Sequence, residues 1–180
     1  MVRSAAVLLF LAAFAQADDK PKGENPYREC KQGDWIEAKG PNGLVIKHTV
    51  VAKTKDEVRI KIEQMVPGVK SEPIEQVIHL ALPYPLPVEP NKDFESKTTQ
   101  EKLESGTETL TIGDKKYECE WDRTRHTVVT KFQGMETKFV TTVKVWRCKD
   151  VPLNWPVRSE TELVGGMKTV MELTGFGRGQ

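Results

Sequence analysis

The stretch that most restricts the fold runs from Lys115 to Leu153, KKYECEWDRTRHTVVTKFQGMETKFVTTVKVWRCKDVPL. Tyr117, Cys119 and Trp121 alternate with charged residues in its first part, and Trp146 and Cys148 close its second. Alternation with period two is the pattern of a strand with one face buried, so the stretch reads as two long strands folded on a turn near Gly134. A turn centred there brings Cys119 and Cys148 opposite each other. They are the candidate disulfide, and Cys30 is the odd thiol of the three.

The rest of the chain repeats this pattern. Asn25-Pro26 with Gly33 punctuates one short helical turn, since Asn caps, Pro suits the first helical position and Gly the left-handed stop. Asp34-Trp35-Ile36-Glu37 opens a first strand. Pro41-Asn42-Gly43 is a turn signal, and Leu44 to Lys53 then sets Leu44, Ile46, His48, Val50 and Ala52 on one face. Val58, Ile60 and Ile62 alternate with charges in the next strand, and Ile74 to Ala81 reads as another. The prolines of Leu82 to Pro90 cannot donate ladder hydrogen bonds, so that segment is expected to cross the sheet as an extended connector. Asn91 to Gly106 lacks apolar periodicity and is read as a loop or a marginal helix. Glu108 to Ile112, Val157 to Leu163 and Met167 to Leu173 complete the strands, the last two joined at Gly165-Gly166.

The N-terminus carries an address. Arg3, the apolar run Ala5 to Phe14 and the small-x-small site Ala15-Gln16-Ala17 form an export signal, with cleavage expected after Ala17. About ten apolar residues fall short of the roughly 20 that span a bilayer. No small-residue lipobox precedes Cys30. The expected organisation is signal peptide 1–17, a polar leader 18–33 and a single β domain 34–180. Basic and acidic residues number 27 and 26 and are interspersed, so charge offers nucleic acid no basic stripe.

Chemical motifs are missing. His48, His79 and His126 lie on separate strands, no CxxC is present, and no nucleophile elbow or phosphate loop can be found. No metal, cofactor or enzymatic activity is therefore expected. His48, among Leu44, Ile46 and Val50, reads as a satisfied interior histidine or a polar group in a cavity wall.

Gly113-Asp114-Lys115-Lys116-Tyr117-Glu118-Cys119, Lys144-Val145-Trp146-Arg147-Cys148-Lys149-Asp150-Val151-Pro152-Leu153, Val157-Arg158-Ser159-Glu160 and the Met-rich last strand ending in Thr174-Gly175-Phe176-Gly177 carry a resemblance. The chain resembles exported bacterial β-rich proteins similar in strand order to the lipoprotein-carrier (LolA-like) open β-barrels. That resemblance implies a curved sheet whose concave face takes lipid chains under a helical lid, although two amphipathic lid helices are missing here.

The expected fold is all-β: one strongly curved antiparallel sheet, an open or half barrel, of about ten strands with little helix. The expected function is a non-enzymatic extracytoplasmic domain that takes a lipid or other apolar ligand on the concave face. Trp35, Tyr117, Trp121, Val143, Val145, Trp146 and Met171 are the candidate wall. The alternative is an envelope module that contacts a protein partner through an exposed edge or the proline segment. In neither case is the chain integral to the membrane.

Overall fold

Two meanders share one sheet. In the computed structural model, which describes residues 25–69, 71–81, 94–132 and 135–179, the first comprises β1 (Trp35–Lys39), β2 (Val45–Lys53), β3 (Glu57–Met65) and β4 (Ile74–His79). The second comprises β5 (Phe94–Ile112), β6 (Lys115–Phe132), β7 (Met135–Arg147), β8 (Pro156–Leu163) and β9 (Lys168–Gly177). The first strand pairs with the last, giving the order β4-β3-β2-β1-β9-β8-β7-β6-β5 in a nine-stranded sheet. Every neighbouring pair is antiparallel. The sheet is open, with β4 and β5 at its edges. Among the described residues the strands number nine, where about ten were expected, and β4 ends at His79 rather than Ala81. The export signal and the proline segment lie outside the described residues.

The long hairpin forms as its alternation requires, β6 and β7 pairing from Glu120↔Arg147 to Phe132↔Met135. Its outer neighbour does not follow the sequence expectation. Residues 94–106, read above as loop or marginal helix, belong to β5, which pairs with β6 from Phe94↔Phe132 to Ile112↔Lys115. The segment carries no apolar face because it is an edge strand solvated on much of its surface. It is held by the ladder and by cross-strand charge pairs such as Arg125–Glu101 at 3.0 Å, and its charges discourage edge-to-edge association.

The main apolar cluster draws Ile36, Val50, Val58, Ile60, Ile78, Val157 and Leu173 from the sheet against Tyr27, Val151 and Leu153. These last three flank or belong to short 3₁₀ turns, Pro26–Glu29 and Pro152–Asn154. Burying each such side chain stabilises the fold by roughly 1.5–3 kcal/mol. The first turn starts at Asn25, whose Oδ1 accepts a hydrogen bond from the Tyr27 N–H at 3.0 Å. Asn25 Nδ2 donates to the His79 carbonyl and the Arg28 guanidinium to that of Leu80, which fastens the leader to the end of β4. Asp34, wholly buried, ties the two ends of the domain: Oδ1 accepts from the Gly179 N–H at 2.7 Å and Oδ2 from the Lys31 N–H at 2.9 Å. Gly165 and Gly166, both at positive φ, make the β8–β9 turn.

The cysteines depart from expectation. Cys119 and Cys148 face each other one step beyond the last β6–β7 pair, yet all three cysteines are free thiols. The ladder stops at Arg147, so Cys148 has left the strand. Its Sγ leans toward Asp150 Oδ2 at 3.9 Å, while Cys119 Sγ points to the Tyr117 carbonyl at 3.5 Å. Burial pushes the Cys119 thiol up to about 11, which keeps it protonated and unreactive at neutral pH. Cys30 is buried with its Sγ on the Tyr27 carbonyl.

Candidate functional site

The register sorts the seven expected wall residues onto two faces. Val145 pairs with Ser159, which pairs with Met171, and Val143 pairs with Thr161 and Thr124. This face continues through Leu173, Ala38 and Ile46 to His48 on β2. Trp146, one residue from Val145, points the other way, because neighbouring side chains on a strand alternate between faces. It pairs with Trp121 on one side and Arg158 on the other. Trp35 shares this second face, lying against Gly175 and Gly177 with the Lys47 ammonium 5.2 Å from its ring. Tyr117 joins the main cluster, its ring 6.4 Å from that of Phe176. The seven therefore do not form one wall. Val143, Val145 and Met171 share one face, in two separate apolar clusters, and the three tryptophans lie on the other.

On the Trp146 face, aromatics and charges are locked to each other. The Lys144 ammonium sits 3.9 Å from the Trp121 ring and 4.3 Å from the Trp146 ring. Trp146 Nε1 donates to Glu108 Oε2 at 2.9 Å, and that bond first, then the Lys144 charge, holds the Glu108 carboxyl below its usual range. Arg158 stands over Trp146 and pairs with Glu160 at 2.8 Å and Glu172 at 3.4 Å. A concavity of about 230 Å³ beside this cluster is lined by Glu104, Arg123, Thr142, Lys144, Glu160, Thr161, Glu162 and Lys168. With three acids and three bases in its wall, it offers nothing to an apolar chain. Gly106 is opposite Trp121, and a Cβ there would meet the indole at 3.1 Å. Gly106→Val is expected to lever Trp121 off Lys144, cost about 1–2 kcal/mol in chemical denaturation and shift the tryptophan emission. Unchanged stability and emission would mean that the indole is not held there.

The opposite face, named here for His48, has a different composition. Ala38, Val143, Val145, Ser159 and Thr124 are small and buried, with Met171 and Ile46 beside them. Two histidines are buried among them, each 6% exposed. His126 Nε2 is hydrogen-bonded to Thr124 Oγ1 at 3.0 Å; burial lowers its pKa while Asp122 opposes the shift. His48 has no such bond: both ring nitrogens are buried without a hydrogen-bond partner among the described residues. Its register neighbours are Ile36 and Ile62, and the Trp155 ring packs edge-on at 4.6 Å. Desolvation alone takes its pKa down to about 4, so the imidazole is neutral at physiological pH.

Toward the far end of β7 and β8 this face opens. Phe139 and Leu163 stand on it with 57% and 37% exposure, and Met167, hydrogen-bonded to Leu163 across the turn, is 64% exposed. The alternation of β7 foretold the faces once the register was fixed, but nothing in the sequence marked Ser159, Thr124 or the Lys144 contact with two indoles. Among the described residues, no three Cys, His, Asp or Glu side chains gather to hold a metal, and no helix is long and apolar enough to cross a membrane.

No family model matches the chain, and no curated protein matches it. Two solved structures match in fold. One, from Bacteroides fragilis, bears the description "putative exported protein with YmcC-like fold"; it is 12% identical, with a TM-score of 0.51 over 88% of this chain and all of that one. The other, a "putative lipoprotein" from Parabacteroides distasonis, is 12% identical with a TM-score of 0.50 and the same coverage. At that identity the likeness is one of fold: an all-β chain built as a single open antiparallel sheet.

Proposed function

We propose that the protein is a non-enzymatic extracytoplasmic binding domain that takes an apolar ligand, such as an acyl chain, on the His48 face. The observation that carries this reading is the make-up of that face. It runs from exposed Phe139, Leu163 and Met167 into buried, small or flexible side chains, Val143, Val145, Ser159 and Met171. Exposed apolar residues gathered on a sheet face mark contact sites. Curvature of the sheet toward this ligand is part of the proposal. The resemblance to lipoprotein carriers, the expected signal peptide 1–17 and the descriptions of the two structural neighbours favour an exported protein. Titration with an uncharged fluorescent acyl amide tests the reading: saturable binding at one site per chain is expected, weakened at least tenfold in a folded Val145→Lys variant, since a charge on that face must be desolvated. No saturation, or binding indifferent to Val145→Lys, would sink it.

A further inference from the structure

Buried polar groups in folded proteins are almost always hydrogen-bonded, and one left bare needs an explanation. His48 leaves two bare, Nδ1 and Nε2, in a side chain more than nine-tenths buried. Among the described residues its surroundings give it no hydrogen-bond partner: Ile46 and Val50 flank it on its own strand face, Ile36 lies across on β1 and Ile62 on β3, and the Trp155 ring packs edge-on. Resting on the reading above, we infer that His48 is the polar anchor of the ligand face, and that it selects a chain with an uncharged hydroxyl or amide head, as in a monoacylglycerol, over one ending in a free carboxylate.

The chemistry of the site makes the distinction. A neutral imidazole presents one N–H donor and one bare nitrogen acceptor. A head with hydroxyl or amide groups carries both donors and acceptors and can answer both. An ionised carboxylate only accepts, so it leaves the bare nitrogen unsatisfied and brings a negative charge to a ring that no cation among the described residues touches. Protonating the histidine to pair with that carboxylate would desolvate two charges instead of one, and desolvation already disfavours the imidazolium strongly here. Protonating a fatty acid near neutral pH costs about 3 units of its pKa, roughly a thousandfold in affinity.

Three probes of equal chain length separate the possibilities: a monoacylglycerol, the corresponding fatty acid and the plain alkane, added to the folded protein at pH 7.5 below their aggregation concentrations. Binding is read by equilibrium dialysis and by the emission of the tryptophans, of which Trp155 touches His48. The monoacylglycerol should bind at least about tenfold more tightly than the fatty acid, and its addition should shift the His48 ring ¹⁵N resonances. His48→Leu removes the two bare nitrogens and should fold; it should weaken the monoacylglycerol about tenfold while leaving the alkane unchanged. Equal or tighter binding of the fatty acid, or a monoacylglycerol affinity indifferent to His48→Leu, overturns the anchor and leaves the apolar ligand face standing. Failure of all three probes overturns both.

Discussion

Asp34→Ala is expected to lower the folding stability by about 3 kcal/mol in urea denaturation, a large share of what a domain of this size possesses. Asp34 has no exposed surface, and its two carboxylate oxygens accept from the Lys31 and Gly179 N–H groups at 2.9 and 2.7 Å. Truncation leaves both donors without a partner, at about 1–3 kcal/mol each, with partial relief from water. The backbone around it is unaffected in kind, because the Asp34 carbonyl still accepts from Val50 N–H and Gly33 N–H still donates to the Val50 carbonyl. Asp34→Asn keeps one oxygen and should cost about half as much. A loss below about 1 kcal/mol for Asp34→Ala would show that the contact between the leader and the chain end does not hold the domain together.

Acid should destabilise the protein through His48. Its folded pKa of about 4 lies below the 6.5 of an unperturbed imidazole, so between these values the unfolded chain binds the proton and the folded one does not. The stabilisation is fully present above pH 6.5 and is lost as the pH falls through 4, a total of about 3 kcal/mol. His126, also lowered by burial, contributes in the same direction. His48→Leu separates the two: stability measured from pH 7.5 down to 4 should fall less steeply in the variant, leaving the slope that His126 and the carboxylates supply. The variant should be at least as stable as the parent at neutral pH, since it replaces a buried group with no hydrogen bond by an apolar one of similar size. Identical slopes would place His48 in contact with solvent.

Both effects arise where a polar residue sits inside the fold, and neither could be read from spacing. Alternation located β2, β3, β6, β7, β8 and β9, because each buries one face and solvates the other. The same logic failed for the first half of β5. Thr98, Thr99, Glu101, Lys102 and Glu104 carry no apolar face, and the β6 ladder alone makes them a strand. The candidate wall spans both faces of the sheet, as the period of two implies: Val145 and Trp146 are adjacent, so one extended strand turns them to opposite sides. What alternation could not supply was the composition of each face. That requires knowing that β1 pairs with β9 and not only with β2, which sets Ala38 beside Leu173. His48 was visible as a histidine among apolar neighbours, but its lack of a hydrogen bond emerges only when Ile36 and Ile62 are placed on either side.

Ligand occupancy of the His48 face is tested most directly by native mass spectrometry of the protein purified without detergent. The expected result is a one-to-one adduct of a few hundred daltons that organic extraction removes, that a monoacylglycerol restores, and that Val145→Lys does not retain. A monomer found only at the mass of the bare chain, and unchanged after incubation with the monoacylglycerol, would contradict ligand binding on this face.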